Sequence, residues 1–350
     1  MSRTIELGDG RIGPDQPCFV IAEAGVNHNG HRELAFELVD AAAKAGADAV
    51  KFQTFKAERL AAPAAEKAAY QKLSTGAHEN QRAMLRRLEL PIAWHEELIA
   101  RCRARGLLFL SSPFDELTSD ALETLDLPAF KIPSGELTNL PLLAHIARKG
   151  RTMLLSTGMA TLDEVRQAVD VIGDAGDPPL VLLHCLSQYP ADPAQANLRA
   201  METLRRSFDI PVGYSDHTPG IEVALAAVAL GANVIEKHFT VDRTLPGPDQ
   251  QASLDPDELA TLVAGVRRVA SALGHGRKEP APGEEAIAAV VRKSLVAARD
   301  LAPGTVLGAD DLIALRPGLG ISPAERDRVL GRQLSIRLEA GAMLRWKMLS

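Results

Sequence analysis

The sequence predicts a (β/α)8 TIM barrel followed by a small β-rich C-terminal domain, and three observations carry that reading. Short β-type runs alternate with helical runs from residue 19 to residue 273. Polar residues collect where the β-type runs end. A stretch rich in Pro and Gly, residues 275–285, then leads to short strand-like runs separated by Pro303-Gly304 and Ala340-Gly341. The alternative, an open doubly wound sheet, would show a GxGxxG loop after its first strand, and none is present.

In order along the chain, residues 19–24 read as strand and 31–45 as an amphipathic helix stopped at Gly46. Strand follows at 48–52, then a polar, Ala-rich section to about residue 80. Residues 81–88 and 92–105 read as helices, the second closed by Gly106. Strand 107–110, helix 116–125, strand 129–132, helix 140–148 and strand 153–155 come next. Thr161 is placed to cap a helix at 161–172 that carries acids in its first turn. Strand 180–185, helix 198–208, strand 210–214, helix 221–230, strand 233–239 and helix 256–273 complete the series. About eight strand–helix units is the count of a barrel of ~250 residues. The expected division is 1–275 barrel, 276–292 linker and 293–350 β-rich domain, with strand-like runs at 294–298, 312–315 and 333–338. So short a tail buries little apolar surface alone, so it is expected to dock on the barrel or on a second subunit.

Composition narrows the function. A chain of 350 residues, 46% hydrophobic and 24% charged, is ordinary for a globular protein. No stretch approaches the ~18 uninterrupted apolar residues of a membrane span, and a net charge of −6 gives no pull toward nucleic acid or membrane. The first residues lack an apolar signal core, so the cytoplasm is the expected compartment. Cys18, Cys102 and Cys185 are too few and scattered for a disulfide framework or a zinc cluster, and read as reduced, buried thiols.

The strand ends hold the chemistry. Side chains alternate along a strand, so Glu236 and His238 share one face while Lys237 points to the other. His217, at the end of the preceding strand, can then share one divalent cation with His238, with Asp216, Glu236 and Asp249 close by. Glu23, Lys51, Gln53, Ser112, Lys131, Ser134, Glu136, Ser156, His184, Ser187 and Tyr189 lie at or beyond other strand ends. A barrel interior wants branched apolar side chains, and unpaired charges there cost several kcal/mol each. Lysines with hydroxyls and loop N–H groups suit a phosphate and a carboxylate, and histidines with carboxylates suit a metal that polarises a carbonyl. Metal-dependent carbon–carbon bond formation on phosphoenolpyruvate fits this set. An aldolase-type lyase fits less well, and a Schiff base on Lys131 would require a depressed pKa that a sequence does not show.

These residues sit in recognisable strings. Ile21-Ala22-Glu23-Ala24-Gly25-Val26-Asn27-His28-Asn29-Gly30, Lys51-Phe52-Gln53-Thr54-Phe55, Lys131-Ile132-Pro133-Ser134-Gly135-Glu136 and Leu155-Ser156-Thr157-Gly158-Met159 come first. Gly213-Tyr214-Ser215-Asp216-His217-Thr218, Ile235-Glu236-Lys237-His238-Phe239, Pro246-Gly247-Pro248-Asp249 and Leu315-Arg316-Pro317-Gly318 follow in order. Together they resemble the bacterial sialic acid synthase family (N-acetylneuraminate and legionaminate synthases) across nearly the whole chain. The tail looks like that family's antifreeze-like (SAF, β-clip) domain.

The resemblance implies condensation of phosphoenolpyruvate with an open-chain N-acylated mannosamine, a divalent metal (Mn2+ or Mg2+), and a homodimer whose small domain closes the partner's site. It implies His217 and His238 as metal ligands, and Lys51, Ser112, Lys131, Ser134, Ser156 and Ser215 as phosphoenolpyruvate contacts. Glu23 and Glu136 would flank the reacting centre, with His238 also counted among the catalytic residues. Gln53, Ser187, Tyr189 and Asp249 would face the sugar, and Arg316 its N-acyl group across the dimer. Ser187 stands where relatives often carry Thr or Asn, and residues 74–80, expected to add a sugar contact, align poorly. The expected product is N-acetylneuraminate, with legionaminic acid from a 2,4-diacetamido-2,4,6-trideoxy sugar as the alternative within the family. A carbohydrate- or ice-binding protein is the alternative from another class, though binding alone needs no such rim of charges.

Overall fold

The computed structural model describes residues 4–76 and 78–350. The expectations for the first three residues and for Ala77 within residues 74–80 lie outside the described residues. A short hairpin, β1 (Ile5–Leu7) and β2 (Gly10–Ile12), opens the chain. The sequence reading had no element there.

Eight parallel strands follow: β3 (Phe19–Gly25), β4 (Ala49–Thr54), β5 (Leu108–Pro113), β6 (Ala129–Ile132), β7 (Thr152–Ser156), β8 (Leu180–Cys185), β9 (Val212–Asp216) and β10 (Val234–His238). Their hydrogen-bonded order is β5-β4-β3-β10-β9-β8-β7-β6, and β5 and β6, its two ends, lie side by side. That is a nearly closed eight-stranded barrel with helices between successive strands.

Period-two alternation divides each strand between two environments. One set of side chains, including Val20, Ala22, Phe52, Phe130, Leu155, Leu182, Tyr214 and Ile235, is buried under the helices. The other set fills the barrel. At its N-terminal end Phe19, Ile21, Ala49, Leu110, Ala129, Leu154, Val181, Leu183 and Val234 form an apolar floor, plugged by Ile5, Leu7 and Ile12 of the hairpin. Gly213 belongs to this inner set, where a Cβ would stand 2.5 Å from the Val234 carbonyl oxygen. One step further along the same strands the inward residues become Glu23, Lys51, Ser112, Lys131, Ser156, Cys185, Ser215, Glu236 and His238, all buried. The floor is apolar and the mouth is charged.

The expected helices are present with ends moved by a few residues. Two short helices, Ala57–Leu60 and Ala69–Thr75, occupy the section that the sequence reading left without an element. Contacts divide the chain into Met1–Gly274 and His275–Ser350. In the second unit the helix Glu284–Val291 falls within the stretch expected to be linker. The strands β11 (Ser294–Ala297) and β12 (Leu312–Leu315) pair antiparallel. Residues 333–338 make bridges through Gln333, Leu334 and Leu338 rather than a regular strand. This unit has an apolar core of its own, with Leu295, Leu301, Leu307, Ile321, Val329, Leu338 and Leu344 buried. Among the described residues no helix is long and apolar enough to cross a membrane.

Candidate active site

Four charged side chains at the mouth of the barrel make one connected set. Lys51 Nζ is 2.8 Å from Glu23 Oε2 and 3.6 Å from Glu236 Oε2, while Lys131 Nζ is 3.2 Å from Glu236 Oε1. The Glu23 contact is an ion pair without aligned hydrogen-bond geometry. Ser215 donates to Glu236 (2.8 Å), Lys51 donates to Ser112 (3.2 Å) and Gln53 donates to Glu23 (3.2 Å). Strand register produces this: Glu23 is paired with Lys51, Gln53 with Ser112, and Glu236 with Ser215.

Burial and pairing compete at each group. Burial would raise the Glu236 carboxyl, but Lys131 and Lys51 outweigh it and hold the group well below the ordinary carboxylate range. Burial would lower Lys51, and Glu23 with Glu236 reverse that, leaving it above the ordinary amine value. For Lys131 burial prevails over Glu236 and, with the Lys51 charge adding, sets it below that value. Glu23 is raised, chiefly by burial.

Hydroxyls and a backbone amide gather at the ends of β6 and β7. Gly158 N donates to Ser134 Oγ at 2.9 Å, and Ser156 Oγ is buried with no hydrogen-bond partner. A Cβ at Gly158 would lie 2.3 Å from Ser187 Oγ and 2.8 Å from Ser134 Oγ, so only glycine lets these hydroxyls crowd the loop.

The two histidines meet as the sequence pattern implied, with ring centroids 5.4 Å apart. His217 Nδ1 lies 2.8 Å from the Leu186 carbonyl oxygen, which can only accept, so Nδ1 carries a proton and donates it there. His238 Nδ1 is buried without a partner, and burial, with His217 next, holds the ring well below the usual imidazole range. Burial would lower the His217 ring, but Cys185, the Leu186 carbonyl and Glu236 outweigh it and set it above the ordinary imidazole value. A divalent cation would be held by both rings in their deprotonated form. Among the described residues no three His, Cys, Asp or Glu side chains converge as a metal cluster.

Asp216 does not join them. Alternation turns it to the outer face, where it accepts from Lys237 Nζ (2.6 Å) and from Thr218 N (2.9 Å). Glu236 faces inward, against both lysines and close enough to act on both histidines.

Tyr189 lies over the histidines, its ring 4.2 Å from that of His217 and 5.8 Å from that of His238. Asp249 is buried, and burial, with Glu23 next, pushes its carboxyl up to about 6. Its loop is held by Asn27, which donates to Phe239 O (2.8 Å) and Ser253 Oγ (2.9 Å), and by Gln250, which donates to Asn27 O (3.1 Å). Glu136 is half-buried in the turn after β6, accepts from Asn139 Nδ2 (2.8 Å) and is raised by burial. His184 turns away to the Ala196 carbonyl (2.8 Å). Arg316 is exposed in the second unit.

Two residues of the site were not picked out from the sequence. Cys185, read as an inert thiol, stands 3.8 Å from His217 Nδ1, and alternation from Leu183 could have placed it inward. Tyr70 stacks on Tyr189 with centroids 5.2 Å apart. Nothing in the Ala-rich section announces it.

Charged groups and histidines at the C-terminal mouth of a parallel barrel stand where barrel enzymes carry their active sites. Residues 38–278 match the NeuB family and residues 292–350 a SAF domain, so the chain belongs to the NeuB family and ends in a SAF domain. It is similar to an N,N'-diacetyllegionaminic acid synthase of Legionella pneumophila, 49% identical over 96% of this chain and 95% of that one. A second N,N'-diacetyllegionaminic acid synthase, from Campylobacter jejuni, is 47% identical over 89% of this chain and 94% of its own. Among solved structures, N-acetylneuraminic acid (sialic acid) synthetase of Leptospira borgpetersenii superposes with a TM-score of 0.73. It is 38% identical, covering 82% of this chain and 95% of that one.

Substituting either lysine should remove half of the positive charge of this set from an acidic protein. Calorimetric titration of Lys51→Ala and Lys131→Ala with phosphoenolpyruvate is expected to show binding weakened at least about tenfold. Wild-type affinity in both variants would make the lysines structural.

Proposed function

We propose that the chain condenses phosphoenolpyruvate with open-chain 2,4-diacetamido-2,4,6-trideoxymannose and releases phosphate, giving N,N'-diacetyllegionaminic acid. The observation that carries this reading is near-full-length identity of 49% to a synthase of that product. The site chemistry supports it. The N-acetylneuraminate reading, from N-acetylmannosamine, ranks second, favoured by the likeness to the Leptospira synthetase at 38% identity.

The roles follow from the groups present. Lys51 and Lys131, with Ser112, Ser134, Ser156, Ser215 and the Gly158 N–H, hold the phosphate and carboxylate of phosphoenolpyruvate. His217 and His238 hold Mn2+ or Mg2+, which when bound supplies Lewis-acid polarisation of the sugar aldehyde. Gln53, Ser187, Tyr189 and Asp249 orient the sugar. The π pair of the phosphoenolpyruvate methylene forms the bond to the aldehyde carbon, and the aldehyde oxygen takes a proton. The adjacent carbon becomes cationic, and the carboxylates Glu23 and Glu136 stabilise that charge and orient the water that adds there. A Glu23 carboxyl raised by burial is suited to taking the proton that the water loses. The carbon–oxygen bond to phosphate then breaks, its electron pair leaves with phosphate, and the remaining hydroxyl loses its proton to become the 2-keto group.

The reading includes a homodimer in which Arg316 of one copy contacts the N-acyl group held by the other. Arg316 is exposed, as are its neighbours Ile313, Leu315 and Leu319, an apolar surface suited to burial against another chain. The guanidinium fork suits a planar amide carbonyl.

Phosphate release is expected to require a divalent cation: chelation stops it, and Mn2+ or Mg2+ restores it. The diacetamido trideoxy sugar should exceed N-acetylmannosamine in kcat/KM by at least about tenfold. The opposite preference would favour the second reading, and full turnover in chelator would contradict the metal role. Mixing Arg316→Ala with His238→Ala, each inactive alone, should restore part of the activity through dimers with one intact site. No recovery despite subunit exchange seen by mass spectrometry would place Arg316 elsewhere.

A further inference from the structure

The helix Ala69–Thr75 has no buried residue, and Leu73 on it is 88% exposed. Seven residues are too few to form a stable helix alone, so tertiary contacts must hold it. Part of the hold is internal. The fully buried Lys67 amine donates to Thr75 Oγ1 (2.9 Å) and to Glu79 (3.3 Å), and Glu79 also pairs with Arg87 (2.6 Å). Asn80 donates to Pro63 O (2.9 Å) and Gln81 N to Ala65 O (3.0 Å), tying residues 80–81 back to residues 63–65. The tie to the site is aromatic. The Tyr70 ring stacks on Tyr189 at 5.2 Å and 26°, and Tyr189 in turn lies 4.2 Å from His217, so Tyr189 bridges Tyr70 and the histidine pair. Gln71 Nε2 donates to the Tyr70 hydroxyl at 3.3 Å, which leaves the phenol oriented by its own helix.

We propose that Tyr70 is a positioning and specificity residue for the sugar. It braces Tyr189 over the histidines and walls the sugar end of the site with a second aromatic surface. This rests on the synthase reading above. The ring stack has a consequence for which sugar is preferred. A deoxy carbon and acetamido methyl groups present apolar surface that packs on aromatic faces, whereas a hydroxymethyl group there would lose hydration without gaining a partner. The phosphate side is built from Lys51, Lys131 and the serines on other strands, so Tyr70 should act on the sugar and leave phosphoenolpyruvate alone.

Steady-state kinetics with each sugar, with phosphoenolpyruvate and cation affinities measured by calorimetry, separates the possibilities. An aromatic pair contributes about 0.5–1.5 kcal/mol beyond its area, so Tyr70→Ala is expected to raise the sugar KM ~3–10-fold. The preference for the diacetamido sugar over N-acetylmannosamine should fall in the same variant. Phosphoenolpyruvate and Mn2+ affinities should stay within about twofold of wild type, and Tyr70→Phe, which keeps the stack, should restore the sugar KM. Should Tyr70→Ala not fold, Tyr70→Leu, apolar but without a flat face, is expected to show the same raised sugar KM. An unchanged sugar KM, or sugar, phosphoenolpyruvate and metal constants that worsen together, would overturn the assignment. A wild-type protein that turns over neither sugar would overturn the synthase reading itself, and this role with it.

Discussion

Glu236 is a carboxylate buried between two ammonium groups, and the mouth of the barrel is arranged around that fact. Leaving any one of these charges unpaired in the interior would cost several kcal/mol. Glu236 lies 3.2 Å from Lys131 and 3.6 Å from Lys51, and Glu23 lies 2.8 Å from Lys51. Two positive and two negative groups make the empty set neutral, so the protein can keep both lysines charged and dehydrated before substrate arrives. On the proposed reading a phosphate entering here would meet cations already in place, and the inward Ser156 Oγ is buried without a partner. The histidine pair stands at the edge of this lattice, where a cation adds positive charge without displacing a lysine.

The same constraint explains what was legible in the sequence. Period-two alternation is a property of the backbone, so Glu236 and His238 could be put on the inner face, and Lys237 on the outer, before any coordinates. Barrel class followed from the repetition of strand and helix, and the site from charges at strand ends. What alternation predicts stops where the strands stop. Asp216 was placed near the cation because of its neighbour His217, but it is the last residue of β9 and pairs outward with Lys237, while His217 lies beyond the strand in a turn. Tyr70 reaches the site from a helix with no buried face, which leaves no periodic mark. The hairpin Ile5–Ile12 escaped notice because its strands are only three residues each.

On the proposed reading the phosphate side and the sugar side are built differently. Strands hold Lys51, Ser112, Lys131, Ser156 and Ser215 of the first, and Ser134 follows just beyond β6. Of the second, Gln53 is on β4, while the others stand in loops: Asp249 depends on Asn27 and Gln250, and Tyr189 on its contacts with Tyr70 and His217. Such a division suits a family whose members share phosphoenolpyruvate chemistry and differ in the sugar, because loops change with little disturbance to a barrel.

Coupling between a lysine and Glu236 is the most direct measure of this account. Urea unfolding of wild type, Lys131→Met, Glu236→Gln and the double variant, without ligands, gives that coupling as a double-mutant cycle. Each single change should cost about 3–5 kcal/mol, and the double variant should cost less than their sum by at least ~1.5 kcal/mol. Strict additivity would contradict the claim that the barrel mouth is held together by this buried charge lattice.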